Sequence, residues 1–241
     1  MLTRVRTLDD SRQEFVSNVS HELKTPLASM KVLADSLNGQ EGVPVELYQE
    51  FMQDITSEID RENQIITDLL SLVKMDKKVA DLNITQVNIN ELLEQLLKRL
   101  HPIAAQKNVE LILDSFRPVN AEVDATKLSL AFSNLIENGI KYNQSGGSVT
   151  VSLGIREDSA FLRISDTGMG IPPEALSHIF ERFYRVDKAR SRQTGGSGLG
   201  LAIVRAIVSR NRGEIRVDSQ VDVGTRFYVT FPIFDTEVDA T

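Results

Sequence analysis

The sequence predicts an all-α segment followed by an α/β segment: an antiparallel helical hairpin that pairs with a second copy into a dimeric four-helix bundle, then a two-layer α/β sandwich. Three observations carry this prediction. Apolar residues step by three or four as far as residue 77, the helical period. Strand-like runs and amphipathic helices take turns after that point. A short link, "NGQEGVP", cuts the helical part in two, too short for anything but antiparallel neighbours.

The first helix carries Phe15, Val19, Leu23, Leu27, Met30, Ala34 and Leu37 on one stripe, which runs back through Leu8, Val5 and Leu2. That backward continuation leads us to expect a preceding segment feeding this helix. Gly39 supplies a C-terminal stop and Pro44 a first-turn residue for the second helix. The second helix, Leu47 to Asp76, repeats the stripe through Phe51, Ile55, Ile59, Ile66, Leu69 and Val73, with Glu62 as one acidic interruption. It spans about 45 Å at about 1.5 Å per residue. Two such helices cannot bury both stripes alone, hence the expected homodimer.

The boundary falls around "KMDKKVADLN", giving a helical domain over 1–78 and an α/β domain over 79–241. "LNITQVNI" alternates like an edge strand, and "INELLEQLLKRLHPIAAQ" is an amphipathic helix capped by Asn88 or Asn90. "VELILD" is a strand, and "DATKLSLAFSNLIENGIKYN" a helix starting at Asp124. "SVTVSLGIREDSAFLRISD" makes two strands around a turn, "PPEALSHIFERFY" a short helix, "GLGLAIVRAIVSRN" another, and "GEIRVDSQVDVGTRFYVTFP" a closing hairpin. A sheet with its helices on one face is the simplest arrangement.

Composition removes several function classes. A net charge of −7 gives no basic footprint for nucleic acid or an anionic membrane surface. The absence of cysteine excludes disulfides and thiolate metal sites and fits a reducing compartment. No apolar run reaches the ~18 residues of a membrane span, so no direct membrane contact is expected.

The chemistry lies in four stretches. In "SHELKTP", His21 sits about 200° around the helix from Val19 and from Leu23, so it points to solvent. Thr25 lies one turn on, on the same face, and Glu22 is adjacent. Pro26 removes a hydrogen bond to the Glu22 carbonyl and predicts a loosened turn beside the histidine. By itself an exposed histidine is an ordinary surface residue. Two glycine clusters, "DTGMGIP" and "GGSGLGLAIV", stand at loop-to-helix junctions where main-chain amides can approach a phosphate. Neither is a Walker or dinucleotide-binding pattern, and either alone also fits a turn with a cap. "NLIENGIKYN" puts Asn134 and Asn138 on one helix face with Lys141 a turn further. An amide oxygen suits a hydrated magnesium ion, and lysine suits phosphate.

Taken together, "SHELKTP", "NLIENGIKYN", "DTGMGIP", "IFERFYRVD" and "GGSGLGLAIV", in that order, resemble the H, N, first glycine, F and second glycine boxes of bacterial two-component sensor histidine kinases. The resemblance covers nearly the whole chain. It implies a dimerisation and phosphotransfer hairpin followed by an ATP-binding sandwich of the kind shared with gyrase, the heat-shock chaperone and mismatch-repair ATPases. It makes His21 the phosphoacceptor, Glu22 its acid/base, and Thr25 a positioner of water when phosphate is removed from the partner. Asn138 resembles the magnesium ligand, Asn134 and Lys141 phosphate contacts, and Tyr142 a nucleotide-packing residue. Asp166 matches the acceptor of the adenine amino group, and Gly168 and Gly170 shape its loop. Arg185 matches an arginine for the terminal phosphate. Gly196, Gly198, Leu199 and Gly200 match the phosphate-facing end of the lid. The implied cofactors are ATP and Mg2+, and the implied partners are a second copy and the receiver domain of a response regulator. The implied location is the cytoplasm, as the inner portion of a membrane-anchored sensor.

Physical chemistry agrees with that assignment. Free imidazole, with a pKa of about 6.5, is largely neutral at pH 7 and can attack phosphorus, given charge neutralisation and in-line placement. Asn134 stands where hydrolysing relatives carry a catalytic glutamate, so slow ATP hydrolysis is expected. Gly139 and Asp222 depart from the usual alanine and glycine of the family. His101 and His178 match no motif, and Phe180, Phe183 and Tyr184 read as packing anchors. A nucleotide-binding module without transfer, or a helical scaffold, would use the same elements, but the complete "HELKTP" with both asparagines argues against each.

Overall fold

The computed structural model describes residues 2–38, 43–76, 82–115, 117–187 and 196–233. Gly39 and the 77–81 part of the expected boundary lie outside the described residues. Two long helices come first, α1 (Leu2–Asn38) and α2 (Val45–Asp76). Helix α1 runs through Pro26, which is buried. Pro44 is not inside the first turn of α2 but just ahead of it, its carbonyl accepting from the Tyr48 amide at 3.0 Å.

The α/β part follows as β1 (Thr85–Asn88), α3 (Ile89–Gln106), β2 (Glu110–Ser115), β3 (Asn120–Val123) and α4 (Ala125–Lys141). Then come β4 (Ser148–Arg156), β5 (Ser159–Asp166), α5 (Gly200–Arg210), β6 (Glu214–Gln220) and β7 (Gly224–Pro232). The main sheet has the order β2-β4-β5-β7-β6, with β2 parallel to β4 and the other neighbours antiparallel. Alternate residues of its strands, among them Val149, Val151, Leu162, Ile164, Val229 and Phe231, point into a core closed by α3, α4 and α5. The opposite face carries polar and aromatic pairs such as Phe161 on Tyr228. This is the two-layer sandwich that the alternation requires.

Side-chain caps set the helix starts. The Asn88 side chain accepts from the Asn90 and Glu91 amides, and that of Asp124 from the Lys127 amide. Asn90 instead ties down the β2–β3 connection, donating to Ser115 Oγ and accepting from the Val119 amide. Gly139 has a packing reason: an added Cβ would lie 3.1 Å from a Val149 methyl, so glycine lets α4 press onto β4.

Several expectations need correction. Strand β3 was not expected, and it pairs with β1 in a separate two-stranded sheet. It alternates, with Ala121 and Val123 buried and Asn120 and Glu122 exposed, but over only four residues, the shortest run that a strand pattern can show. "PPEALSHIFERFY" is not an α-helix but a 3-10 turn, Pro173–Ala175, followed by further turns. Most of its amide bonds close over three residues, as from Leu176 to Pro173, and it ends with Phe183 at φ 64. The two helical stripes are also only half covered. Leu27 is 54% exposed, and Val45, Met52, Ile59, Ile66 and Val73, seven apart, are exposed along α2. A seven-residue apolar repeat is a helix-pairing seam. Ile65, Leu72 and Met75 are the apolar α2 residues buried in the single chain, and Leu72 and Met75 belong to the core of the α/β part.

Phe132 on α4, among the largest side chains of that core, is fully buried with its ring centroid 6.3 Å from that of Phe231. Phe132→Ala should destabilise the α/β part by about 3–5 kcal/mol, read as a lowered urea midpoint.

Candidate functional site

Helix α4 divides into a dry face and a wet one. Leu128, Ala131, Leu135, Ile136 and Ile140 are buried against the sheet, and their period leaves Asn134, Asn138 and Lys141 on the opposite side, lining a cavity of about 510 Å3. The cavity has two ends. Ile171, Ile179, Val221 and Phe227 make an apolar wall around Asp166. Asp166 Oδ1 accepts from the Gly168 amide at 2.9 Å and the Thr225 amide at 3.2 Å, which leaves Oδ2 to accept from a ligand. Burial pushes its carboxyl above the usual range, and those two amides oppose the shift.

The other end is cationic. Burial lowers the Lys141 pKa to about 8, helped by Arg185, Lys107 and Arg61 nearby and opposed by Glu137. The Arg185 side chain is 9% exposed, and its Nε is buried with no hydrogen-bond partner among the described residues. Two desolvated cations and an orphaned donor in one cavity fit a polyanion. Glycines form the facing wall. Gly198 has φ +71, and an added Cβ there would meet the Phe183 backbone at 2.9 Å. One added at Gly200 would lie 2.6 Å from Asn134 Oδ1. Asn134 Nδ2 donates to the Leu130 carbonyl at 2.9 Å, fixing that side chain.

Of the residues expected from the sequence, Asn134, Asn138, Lys141, Tyr142, Asp166, Gly170, Arg185, Gly196, Gly198 and Gly200 line this cavity. Gly168 and Leu199 do not. Gly168 turns beneath Asp166, and Leu199, fully buried, caps α5. Asp222 sits at φ 61, a conformation that aspartate tolerates better than most side chains, which accounts for its standing where glycine was expected.

His21 and Thr25 are exposed on α1, as the helical geometry required. The Thr25 hydroxyl donates to the His21 carbonyl at 3.0 Å. The Glu22 carboxylate accepts from Arg185 Nη2 at 2.6 Å, so the turn bearing His21 abuts the cationic end of the cavity. Sequence reading missed Gln64 and Asp68, which reach the cavity from α2, and also Glu137 and Ser197. Gln64 and Asp68 lie on a helix far away in the chain, with no motif around them; only the buried polar position of Asp68 on an amphipathic stripe could have flagged it. Among the described residues no group of three or more His, Asp or Glu side chains could hold a metal.

Two family models match. "Histidine kinase-, DNA gyrase B-, and HSP90-like ATPase" covers residues 123–234, and "His Kinase A (phospho-acceptor) domain" covers 11–78. Sensor histidine kinase WalK of Bacillus subtilis (strain 168) is 35% identical over 241 residues, 99% of this chain and 39% of its own length. Sensor-like histidine kinase SenX3 of Mycobacterium tuberculosis (strain H37Rv) is 36% identical over 227 residues, 93% of this chain and 55% of its own. The chain thus spans well under two thirds of these relatives. Among solved structures, mycobacterial sensor histidine kinase MprB is 32% identical with a TM-score of 0.55, covering 62% of this chain and 97% of that one. Histidine kinase ThkA, solved in complex with response regulator protein TrrA, shares the fold, with a TM-score of 0.76 at 19% identity over 95% of this chain and 64% of that one.

Because Lys141 titrates near 8, its charge is mostly present at pH 7 and mostly lost at pH 9. ATP affinity, measured by calorimetry, should fall roughly tenfold between those values, and Lys141→Arg should flatten the profile.

Proposed function

The chain belongs to the two-component sensor histidine kinases, and from that premise we propose that it moves the terminal phosphoryl group of ATP to His21 and then to an aspartate of a response regulator's receiver domain. The observation that carries this reading is the Arg185–Glu22 pair, which joins the phosphate end of the cavity to the turn carrying the exposed imidazole.

The adenine ring fits the apolar end, its amino group donating to Asp166 Oδ2, with Tyr142 at the cavity rim. Lys141 and Arg185 take the phosphates, and Asn134 and the Gly196–Gly200 loop line their path. Asn138 offers one neutral oxygen, which suits a Mg2+ ion that keeps most of its waters. Held there, the ion would neutralise charge on the phosphates. An unprotonated nitrogen of His21 attacks the terminal phosphorus. The bond to the ADP oxygen breaks as the new P–N bond forms, and the proton on the other ring nitrogen passes to Glu22. For this, Arg185 has to leave Glu22, and the terminal phosphate supplies the competing anion. Asn134 offers no carboxylate to activate water, which favours transfer over hydrolysis.

The same surface supports removal of phosphate from the regulator, with the Thr25 hydroxyl turning from the His21 carbonyl to a water. The boundaries are 1–78 for the phosphotransfer hairpin and 79–241 for the ATP-binding sandwich, although the end of α2 packs into the latter. The exposed seam of α2 pairs with a second copy, giving the four-helix bundle. This kinase core acts in the cytoplasm as part of a membrane-anchored sensor, with neither nucleic acid nor lipid as its partner.

Incubation with labelled ATP and magnesium should leave acid-labile, base-stable label on the parent chain, and none on His21→Gln or Asn138→Asp. Binding of ATP without label would instead mark a nucleotide-binding module, and no binding a scaffold. Light scattering at micromolar concentration should give twice the 26.9 kDa chain mass, and Ile59→Glu with Ile66→Glu should halve it.

A further inference from the structure

Asp68 lies on α2, in no motif of the sequence, yet it is only 6% exposed and lines the cavity beside Gln64. Both of its oxygens are engaged. Oδ1 accepts from Gln64 Nε2 at 2.9 Å, and Oδ2 accepts from Ser197 Oγ at 2.8 Å. Ser197 belongs to the glycine loop, and its Oγ accepts in turn from the amide of Leu199, the residue that caps α5. A hairpin carboxylate is thus joined through one hydroxyl to the start of α5. Burial also raises the pKa of Asp68, a sign that the position is costly for a charge. In a cavity built for phosphates, a carboxylate does not help the ligand bind. What the geometry provides instead is a tie between the two parts of the chain.

The other ties show why this one matters. Arg185 holds Glu22, Arg182 lies over the Phe15 ring at 5.3 Å, Phe15 packs on Phe183 at 5.8 Å, and Arg210 donates to the Met75 carbonyl. The Arg185–Glu22 tie has to break during the reaction, because the guanidinium is needed at the phosphate and the carboxylate at the imidazole. Asp68–Ser197 lies within the cavity lining and makes no such demand.

We propose that Asp68 is a positioning residue for the phosphoryl transfer: by holding Ser197 it keeps the glycine loop and the phosphate end of the cavity seated on the hairpin while Arg185 leaves Glu22. This rests on the reading of His21 as the acceptor. Asp68 touches no reacting atom, so its effect falls on placement rather than on binding. Misplacement of about 1 Å costs up to about a hundredfold in rate.

Affinity and rate have to be measured separately. In Asp68→Ala, the first-order rate of His21 labelling at saturating ATP should fall 10- to 100-fold, while the calorimetric affinity for ATP stays equal or tightens. Asp68→Asn keeps an acceptor for Ser197 and should recover most of the rate. Ser197→Ala should reproduce the loss, and the double variant should be no slower than either single one. Labelling at the parent rate in Ser197→Ala, a parallel loss of ATP affinity, or an Asn variant as slow as the Ala variant would each overturn the proposal. If Asp68→Ala does not fold, as judged by its thermal transition, the Ser197→Ala and Asp68→Asn results decide. Absence of label on the parent chain would sink the reading of His21 itself, and the role of Asp68 with it.

Discussion

The site depends on one constraint: α4 can bury only one side. Leu128, Leu135, Ile136 and Ile140 bind it to the sheet, and Gly139 lets it come close enough to β4 for its polar side to form the floor of the cavity. Asn134, Asn138 and Lys141 are then placed by the packing of their neighbours, with Asn134 held further by its bond to the Leu130 carbonyl. That is the usual way in which a rigid element holds a site. The opposite walls are loops, from β5 to the 3-10 turn and from the lid into α5, and they carry the glycines because backbone must come close to a ligand there.

The second consequence is electrostatic. Lys141 and Arg185 are desolvated cations drawn together at one end of the cavity, an arrangement that favours a polyphosphate. Arg185 meets part of this need by borrowing Glu22 from the hairpin. In the proposed function, the carboxylate meant for the imidazole and the guanidinium meant for the phosphate occupy each other, and arrival of the terminal phosphate would free both. On that proposal, docking of the two parts and engagement of the substrate would be coupled by competition for a single side chain.

The family boxes were legible because each is local. His21 on the outer face of α1, the asparagine ladder of α4 and the loop glycines all follow from spacing along one element, and the structure places ten of the expected cofactor-site and phosphate residues around one cavity. The misses were of another kind. Strand β3 is four residues long and pairs with the distant β1, and the "PPEALSHIFERFY" segment follows i to i−3 turns although its composition suits a helix. The exposure of Leu27, Ile59, Ile66 and Val73 shows the limit of periodicity: it finds an apolar stripe but not which molecule covers it.

By itself the sequence determined the helical hairpin, the cap at Asp124, the outward face of His21 and the polar face of α4, because all of these depend on neighbours within a few positions. Only the tertiary structure decided that Arg185 meets Glu22 and that Ser197 meets Asp68, pairs 163 and 129 residues apart. Such contacts depend on how two independently patterned units dock, and no period along the chain encodes the direction in which one rigid body approaches another.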